Sequence, residues 1–347
     1  MKPFETLENY LQGQVADDHI QSAVAETISS ISAASIGIAQ RVSLGPLAGD
    51  PGKACGSNVD GDVQKELDLV ANDFIVDALS DAPVAYLVSE ELDEPMAMQE
   101  AAPLVVAVDP LDGSSNIETN AAVGTIFSIF PAGAENTPVD EVVLQPGINQ
   151  LAAGYCIYGP QTSLVLTVGS GTHIFTLDNE RDKYRLTNAN VQIPQTTREF
   201  AINVSNFRHW DRHIRSYIDD CLEGSDGLRQ SNYNMRWLAS LVAECHRIFA
   251  RGGIFLYPSD ARKGYAHGRL RLVYECNPIA FLVEQAGGGA TTGLQRIQEV
   301  IPKGVHQRVP MIFGSSRETR RVERYYAERN LHGEGSQLFS KRGLFRN

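Results

Sequence analysis

Asp109-Pro110-Leu111-Asp112-Gly113-Ser114-Ser115 follows directly on the apolar run Leu104-Val105-Val106-Ala107-Val108. That run reads as a buried strand, which puts two carboxylates, three residues apart, at a strand's end. Carboxylates are hard oxygen ligands suited to Mg²⁺ or Mn²⁺. The Gly that follows lets backbone N–H groups approach a phosphate, and the two Ser hydroxyls can donate to it. One short segment thus offers a place for metal and a place for phosphate, the two requirements of metal-assisted phosphate-ester hydrolysis.

Asp-Gly alone also marks an ordinary turn; three further acidic clusters argue for more than that. Glu90-Glu91 follow the apolar run Tyr86-Leu87-Val88-Ser89, Asp60-Gly61-Asp62 precedes a helical pattern carrying Asp68, and Glu275 ends Leu270-Arg271-Leu272-Val273-Tyr274. Acids at the ends of several apolar runs are expected to converge on cations, because unpaired buried carboxylates are costly. In open α/β sheets such strand ends line the ligand crevice.

The pattern outside these clusters alternates strands and helices. Residues 18–40 and 62–79 carry helical periodicity, and strands are expected at 84–88, 104–108, 124–130, 151–158, 163–168 and 172–177. The second half should hold a strand at 200–204, helices at 209–222 and 235–250, strands at 254–257 and 269–274, and a helix from Pro278 that stops at Gly287-Gly288-Gly289. The fold class is α/β, a layered α+β sandwich. The expected division is 1–193, 194–331 and a basic tail at 332–347, with the site at the junction of the two domains.

Composition sets outer bounds. The chain has 347 residues, too many for one ordinary core. Its net charge of -12 argues against nucleic-acid binding. From Ile301 onward ten Lys/Arg stand against four Asp/Glu, which reads as a solvated helix and tail. Five scattered cysteines without C-x-x-C spacing suggest reduced thiols and a cytoplasmic protein. Cys55 lies in the Gly-rich loop from Asp50 to Gly56. The N-terminus lacks a signal-peptide pattern, and no stretch reads as long and apolar enough to span a bilayer.

The chain resembles class I fructose-1,6-bisphosphatase over nearly its whole length. The matching stretches are Asn58–Asp68, Val88–Glu91, Asp109–Ile117, Gly124–Phe127, Leu144–Gly147, Ala152–Tyr155, Gly252–Pro258 and Leu270–Gly288. The Asp109–Ser115 segment alone fits the wider sugar- and inositol-phosphatase group; Tyr274-Glu275-Cys276-Asn277-Pro278 narrows it to the bisphosphatase. The resemblance implies that Glu90, Asp109, the Leu111 carbonyl, Asp112 and Glu275 bind two or three Mg²⁺ (or Mn²⁺), with Asp62 joining an outer one. It implies that Asp68 and Glu91 activate the attacking water, and that Gly113, Ser114 and Ser115 hold the scissile 1-phosphate. Asn203, Tyr257, Arg269 and, from a neighbouring subunit, Arg236 would hold the distal 6-phosphate. It also implies a homotetramer acting on a sugar bisphosphate.

The departures from the family pattern carry information of their own. Arg269 stands where the family commonly has Lys, Trp237 where a second Tyr follows Arg236, and Asn206-Phe207 where a further Tyr is usual. The altered distal pocket keeps a dual fructose-1,6-/sedoheptulose-1,7-bisphosphatase in view, beside a monophosphatase of the wider group and a non-catalytic phosphosugar sensor. AMP-inhibited relatives have a Lys-Tyr pair and an Arg where this chain has Pro103-Leu104 and Pro131, so AMP inhibition at that site is not expected.

Overall fold

A computed structural model describes residues 4–15, 18–50, 52–57, 63–134 and 137–330. Asp62 and the basic tail at 332–347, both singled out by sequence, lie outside the described residues. The N-terminal half opens with α1 (Leu7–Gln14) and α2 (His19–Leu44). A ribbon of β1 (Ala54–Ser57) and β2 (Val63–Lys65) leads into α3 (Glu66–Leu79). Then come β3 (Val84–Ser89), β4 (Met96–Ala97), β5 (Leu104–Asp112), β6 (Val123–Pro131), the short α4 (Val139–Val143), β7 (Ala152–Tyr158), β8 (Thr162–Thr167), β9 (His173–Asp178) and β10 (Lys183–Asn188). The eight strands β3 to β10 form one sheet in the order β10-β9-β8-β7-β6-β5-β3-β4. Only β3 and β5 run parallel in it.

Side-chain alternation divides this sheet between its two faces. Phe127, Ile129, Cys156, Leu164 and Leu166 face α1, α2 and α3. Their neighbours Ile126, Tyr155 and Val165 turn to the other face, where they share a core with the C-terminal half. α2 starts cleanly because the Asp18 carboxylate accepts the Ile20 N–H at 2.8 Å. By length and composition α2 with the turn after it would suffice to cross a membrane, contrary to the expectation that no stretch would. Its apolar side is occupied otherwise: Val24, Ile28, Ile31 and Ile38 are buried in the core with α3 and the sheet.

The C-terminal half contains β11 (Glu199–Ala201), α5 (Arg212–Glu223), β12 (Asn234–Met235), α6 (Leu241–Arg251), β13 (Ile254–Tyr257), β14 (Leu270–Arg271), α7 (Asn277–Gln285), β15 (Gly289–Thr291), β16 (Arg308–Val309), β17 (Met311–Gly314) and α8 (Ser316–Asn330). A five-stranded sheet has the order β12-β11-β13-β17-β15. One face, with Phe255 and Phe313, packs on α6 and α7; the other, with Phe200, Ile254 and Ile312, packs on Ile214 and Tyr217 of α5 and Val322 of α8. The layers thus run helices, large sheet, α6 and α7, small sheet, α5 and α8. The α/β layered sandwich expected from sequence is the fold observed.

Three local expectations are corrected. The run at 269–274 is a strand only over Leu270–Arg271 and then winds into a π-helical turn, Leu272–Cys276, so Glu275 sits on that turn. The helix expected over 235–250 begins at Leu241, because Ser240 caps it through the Ala243 N–H; Trp237 instead stacks on Phe255. The strand at 200–204 ends at Ala201, where Asn203 caps a 3₁₀ turn. Apolar periodicity alone does not separate a buried strand from a buried helical turn.

Gly124 in β6 marks where α6 rests on the large sheet. A Cβ there would lie 2.2 Å from the Cys156 carbonyl oxygen and 2.8 Å from a Val242 methyl. Gly124→Ala is expected to cost about 1–3 kcal/mol through overpacking, read as a lower denaturant midpoint. A midpoint indistinguishable from that of the parent protein would refute this tight contact.

Candidate active site

β5 carries the decisive irregularity. Asp109 pairs with Ile126, yet Asp112 pairs with Gly124, so β5 has one more residue than its partner between those pairs. In a regular strand, residues three apart face opposite sides. The extra residue corrects the parity and turns Asp109 and Asp112 towards one place. Thr125 secures the bulge by donating its hydroxyl to the Pro110 carbonyl at 2.8 Å. The Asp109 carboxylate accepts the Leu111 N–H at 3.0 Å.

Two elements of the C-terminal half complete the cluster. The Val242 N–H, in the first turn of α6, donates to Asp112 Oδ2 at 2.9 Å. A helix N-terminus favours a carboxylate, and here it also ties the two halves together. Glu275, on the π turn, accepts the Arg271 N–H. One oxygen each from buried Asp109, Asp112 and Glu275 lie within 4.8 Å of one another. Glu90, just past β3, lines the same cavity, with the Arg271 guanidinium 3.9 Å away.

Crowding of this kind opposes ionisation. Burial, with Glu91 beside it, pushes Glu90 up to about 7 against the pull of Arg271. Burial also pushes Asp112 up to about 6, although the Val242 and Leu241 N–H groups favour its charge. Asp109 and Glu275 are held well above the usual carboxylate range, by burial first and then by Glu90. Asp68, at the start of α3, rises to about 6 through burial, with the Lys65 N–H and Ser114 pulling the other way. One Asp68 oxygen accepts the Lys65 N–H at 2.7 Å; Oδ1 is buried and makes no hydrogen bond among the described residues. The donor set is all oxygen, multiply anionic and buried, which suits hard divalent cations such as Mg²⁺.

These acids line a cavity of about 150 Å³ together with Gln64, Glu91, Leu111, Gly113 and Ser114. Gln64 donates to Glu91 Oε2 at 2.6 Å. A second cavity of about 270 Å³ adjoins it and shares Glu90, Gly113, Ser114 and Glu275. Ser115, Tyr257 and Arg269 line that second cavity. Gly113 adopts a left-handed backbone (φ 78°), and a Cβ there would press on Ser240 at 3.3 Å. At the basic end the Arg269 guanidinium stacks over Tyr265 at 4.6 Å and Tyr257 at 5.9 Å.

Sequence and structure part at a few positions. Asn203 lines neither cavity, and neither does Arg236, whose expected place is in a neighbouring subunit's site. The Asn203 carboxamide oxygen accepts from the Ser205 N–H and hydroxyl, and Arg236 pairs with Glu199 at 3.5 Å while 47% exposed. Arg271 and Arg308, which sequence reasoning passed over, both line the larger cavity. Arg271 was visible as a cation interrupting an apolar run. Arg308 gains its place through pairing of β14 with β16, which local sequence does not announce.

Comparison with known proteins agrees with this geometry. Residues 6–189 match the model of the fructose-1,6-bisphosphatase N-terminal domain, and residues 193–327 match that of its C-terminal domain. A class 1 fructose-1,6-bisphosphatase of Sinorhizobium medicae is 52% identical over 345 residues, covering 98% of this chain and 99% of that protein. One from Nitrobacter hamburgensis is 53% identical over 344 residues, 98% of each. The crystal structure of Leishmania major fructose-1,6-bisphosphatase in holo form superposes with a TM-score of 0.88 at 31% identity, covering 94% of this chain and 100% of that one. With both halves matched and half its residues shared with such relatives, this chain belongs to the class 1 fructose-1,6-bisphosphatase family.

Proposed function

We propose that this chain hydrolyses the 1-phosphate ester of fructose 1,6-bisphosphate, releasing fructose 6-phosphate and inorganic phosphate. The observation that carries this reading is the buried carboxylate cluster sharing a wall with a cavity that ends in guanidinium groups. Glu90, Asp109, the Leu111 carbonyl, Asp112 and Glu275 would hold two or three Mg²⁺ or Mn²⁺, and Asp62 an outer one. When bound, such cations neutralise the ester's charge and stabilise the leaving oxygen. Gly113, Ser114 and Ser115 would hold the scissile phosphate by N–H and hydroxyl donors. A water oxygen bonds to phosphorus as the bond from phosphorus to the sugar's O1 breaks. Asp68, whose Oδ1 makes no hydrogen bond among the described residues and whose pKa is raised, would take the water's proton, with Glu91 as the second acceptor.

Tyr257 and Arg269 would hold the distal phosphate, joined by Asn203 and by Arg236 of a neighbouring subunit in a homotetramer. The exposure of Arg236 suits that reach across an interface. A cytoplasmic site of action agrees with all five cysteines being free. Leu104 and Pro131, where AMP-inhibited relatives have polar residues, face each other across β5 and β6. Neither side chain can bind a nucleotide phosphate.

Phosphate release should be seen from fructose 1,6-bisphosphate with Mg²⁺, vanish with chelator, and vanish in Asp109→Asn. Release from sedoheptulose 1,7-bisphosphate as well would favour the dual enzyme, and release only from inositol 1-phosphate would overturn the bisphosphate reading. Micromolar AMP should leave the rate unchanged; strong inhibition would overturn the assignment of Leu104 and Pro131. Because folding raises the pKa values of the clustered carboxylates, this metal-free cluster binds more protons folded than unfolded between about pH 4 and 7. Metal-free stability should therefore fall as pH rises through that window. The gain in Tm on adding Mg²⁺ should in turn be larger at about pH 8 than at about pH 5. A gain independent of pH would argue that Mg²⁺ binds elsewhere.

A further inference from the structure

We infer that a second ligand site, an effector site for a small organic polyanion, lies in the C-terminal half away from the carboxylate cluster. A cavity of about 630 Å³ opens between the start of β11, the loop before β12, the end of α6 and the first turns of α8. Arg198, Arg229, Arg251 and Arg321 line it against only two carboxylates, Glu199 and Glu318. Thr196, Thr197 and Ser231 add hydroxyls. The volume lies in the range of small-molecule sites, roughly 300–1,000 Å³.

Both carboxylates are already shared among several donors. Glu318 accepts from Arg229 at 2.8 Å, Arg321 at 3.0 Å and the Tyr217 hydroxyl at 2.7 Å. Glu199 serves Arg247 at 2.8 Å, and Arg251 and Arg236 at 3.5 Å each. Arg229 is 3% exposed, stacks over Tyr217 and Tyr233, and keeps a buried Nε without a hydrogen bond among the described residues. Arg198 enters no ion pair among the described residues. Two guanidinium charges are thus left in excess over the carboxylates, with hydroxyl donors beside them. Forked guanidinium donors are matched by phosphate and carboxylate oxygens, and an apolar or cationic ligand would gain nothing here. A metabolite bearing two phosphate or carboxylate groups satisfies the excess.

The site has a route to the catalytic cluster. Arg251 closes α6 at the cavity, and the Val242 N–H at the other end of the same helix holds Asp112. The two ends are roughly 14 Å apart at 1.5 Å per residue. Arg247 bridges Glu199 to Glu244, which in turn accepts the Leu238 N–H at 2.7 Å. An anion drawing Arg251 and its neighbours away from Glu199 changes what anchors α6, and with it the setting of Asp112.

The test uses inorganic pyrophosphate as probe, with binding by calorimetry in chelator and phosphate release measured with Mg²⁺ in excess. Pyrophosphate should bind Arg269→Ala as it binds the parent, and bind the double variant Arg198→Ala/Arg321→Ala at least tenfold more weakly. The double variant should keep its basal rate within about twofold while losing any response of kcat/KM to the probe. Arg198→Glu, an exposed charge reversal, should weaken binding further. Equal binding by the parent and the double variant, or loss confined to Arg269→Ala, would overturn the site. Binding without any change in rate would overturn its role as an effector site, and altered sedimentation of Arg198→Glu at unchanged affinity would mark the patch as a contact between subunits.

Discussion

Mutual repulsion among buried carboxylates is the constraint that the rest of the molecule answers to. Asp109, Asp112, Glu275 and Glu90 occupy one small region where burial disfavours charge, and Glu90 and Asp112 push Asp109 and Glu275 up further. A chain left to itself would spread them apart. Here the β5 bulge delivers two of them, the π turn after β14 a third and the end of β3 the fourth, and backbone N–H groups of Leu111, Val242 and Arg271 hold three in place. Stability is given up locally at a buried oxygen cluster suited to divalent cations, the usual bargain at a functional site.

α6 is the element through which that arrangement becomes a property of the whole chain. Its N-terminus holds Asp112, its flank rests on Gly124, and its Cys245, Ile248 and Phe249 join the core between the two sheets. The matching boundary of the two family models, near residue 190, therefore falls between segments that share one hydrophobic interior. The site is built across that boundary, because Glu275 comes from one side and the other three acids from the other.

Much of this was readable in the sequence, for physical reasons. Six of the eight strands of the large sheet carry continuous or alternating apolar runs, and turn residues separate them, so their positions followed from local pattern, whereas β4 and β10 were not among the expected strands. The seven residues from Asp109 to Ser115 read as a candidate metal and phosphate site because few other chemistries need acids, Gly and Ser in that order. The bulge between Asp109 and Asp112 was hidden, since register depends on the neighbouring strand. The π turn was hidden because Leu272, Val273 and Tyr274 are as apolar as a strand requires. Arg308 was invisible for a different reason: it reaches the cavity through a pairing between segments more than thirty residues apart.

The shared interior also bears on how the protein is made. A ribosome that has released only the first 190 residues exposes a sheet face whose Ile126, Tyr155 and Val165 await α6 and α7. That face is apolar, and until synthesis is nearly complete it invites association with other chains. Over the same interval the nascent chain lacks Glu275 and the amide that holds Asp112, so the carboxylate cluster waits for the second half to be made.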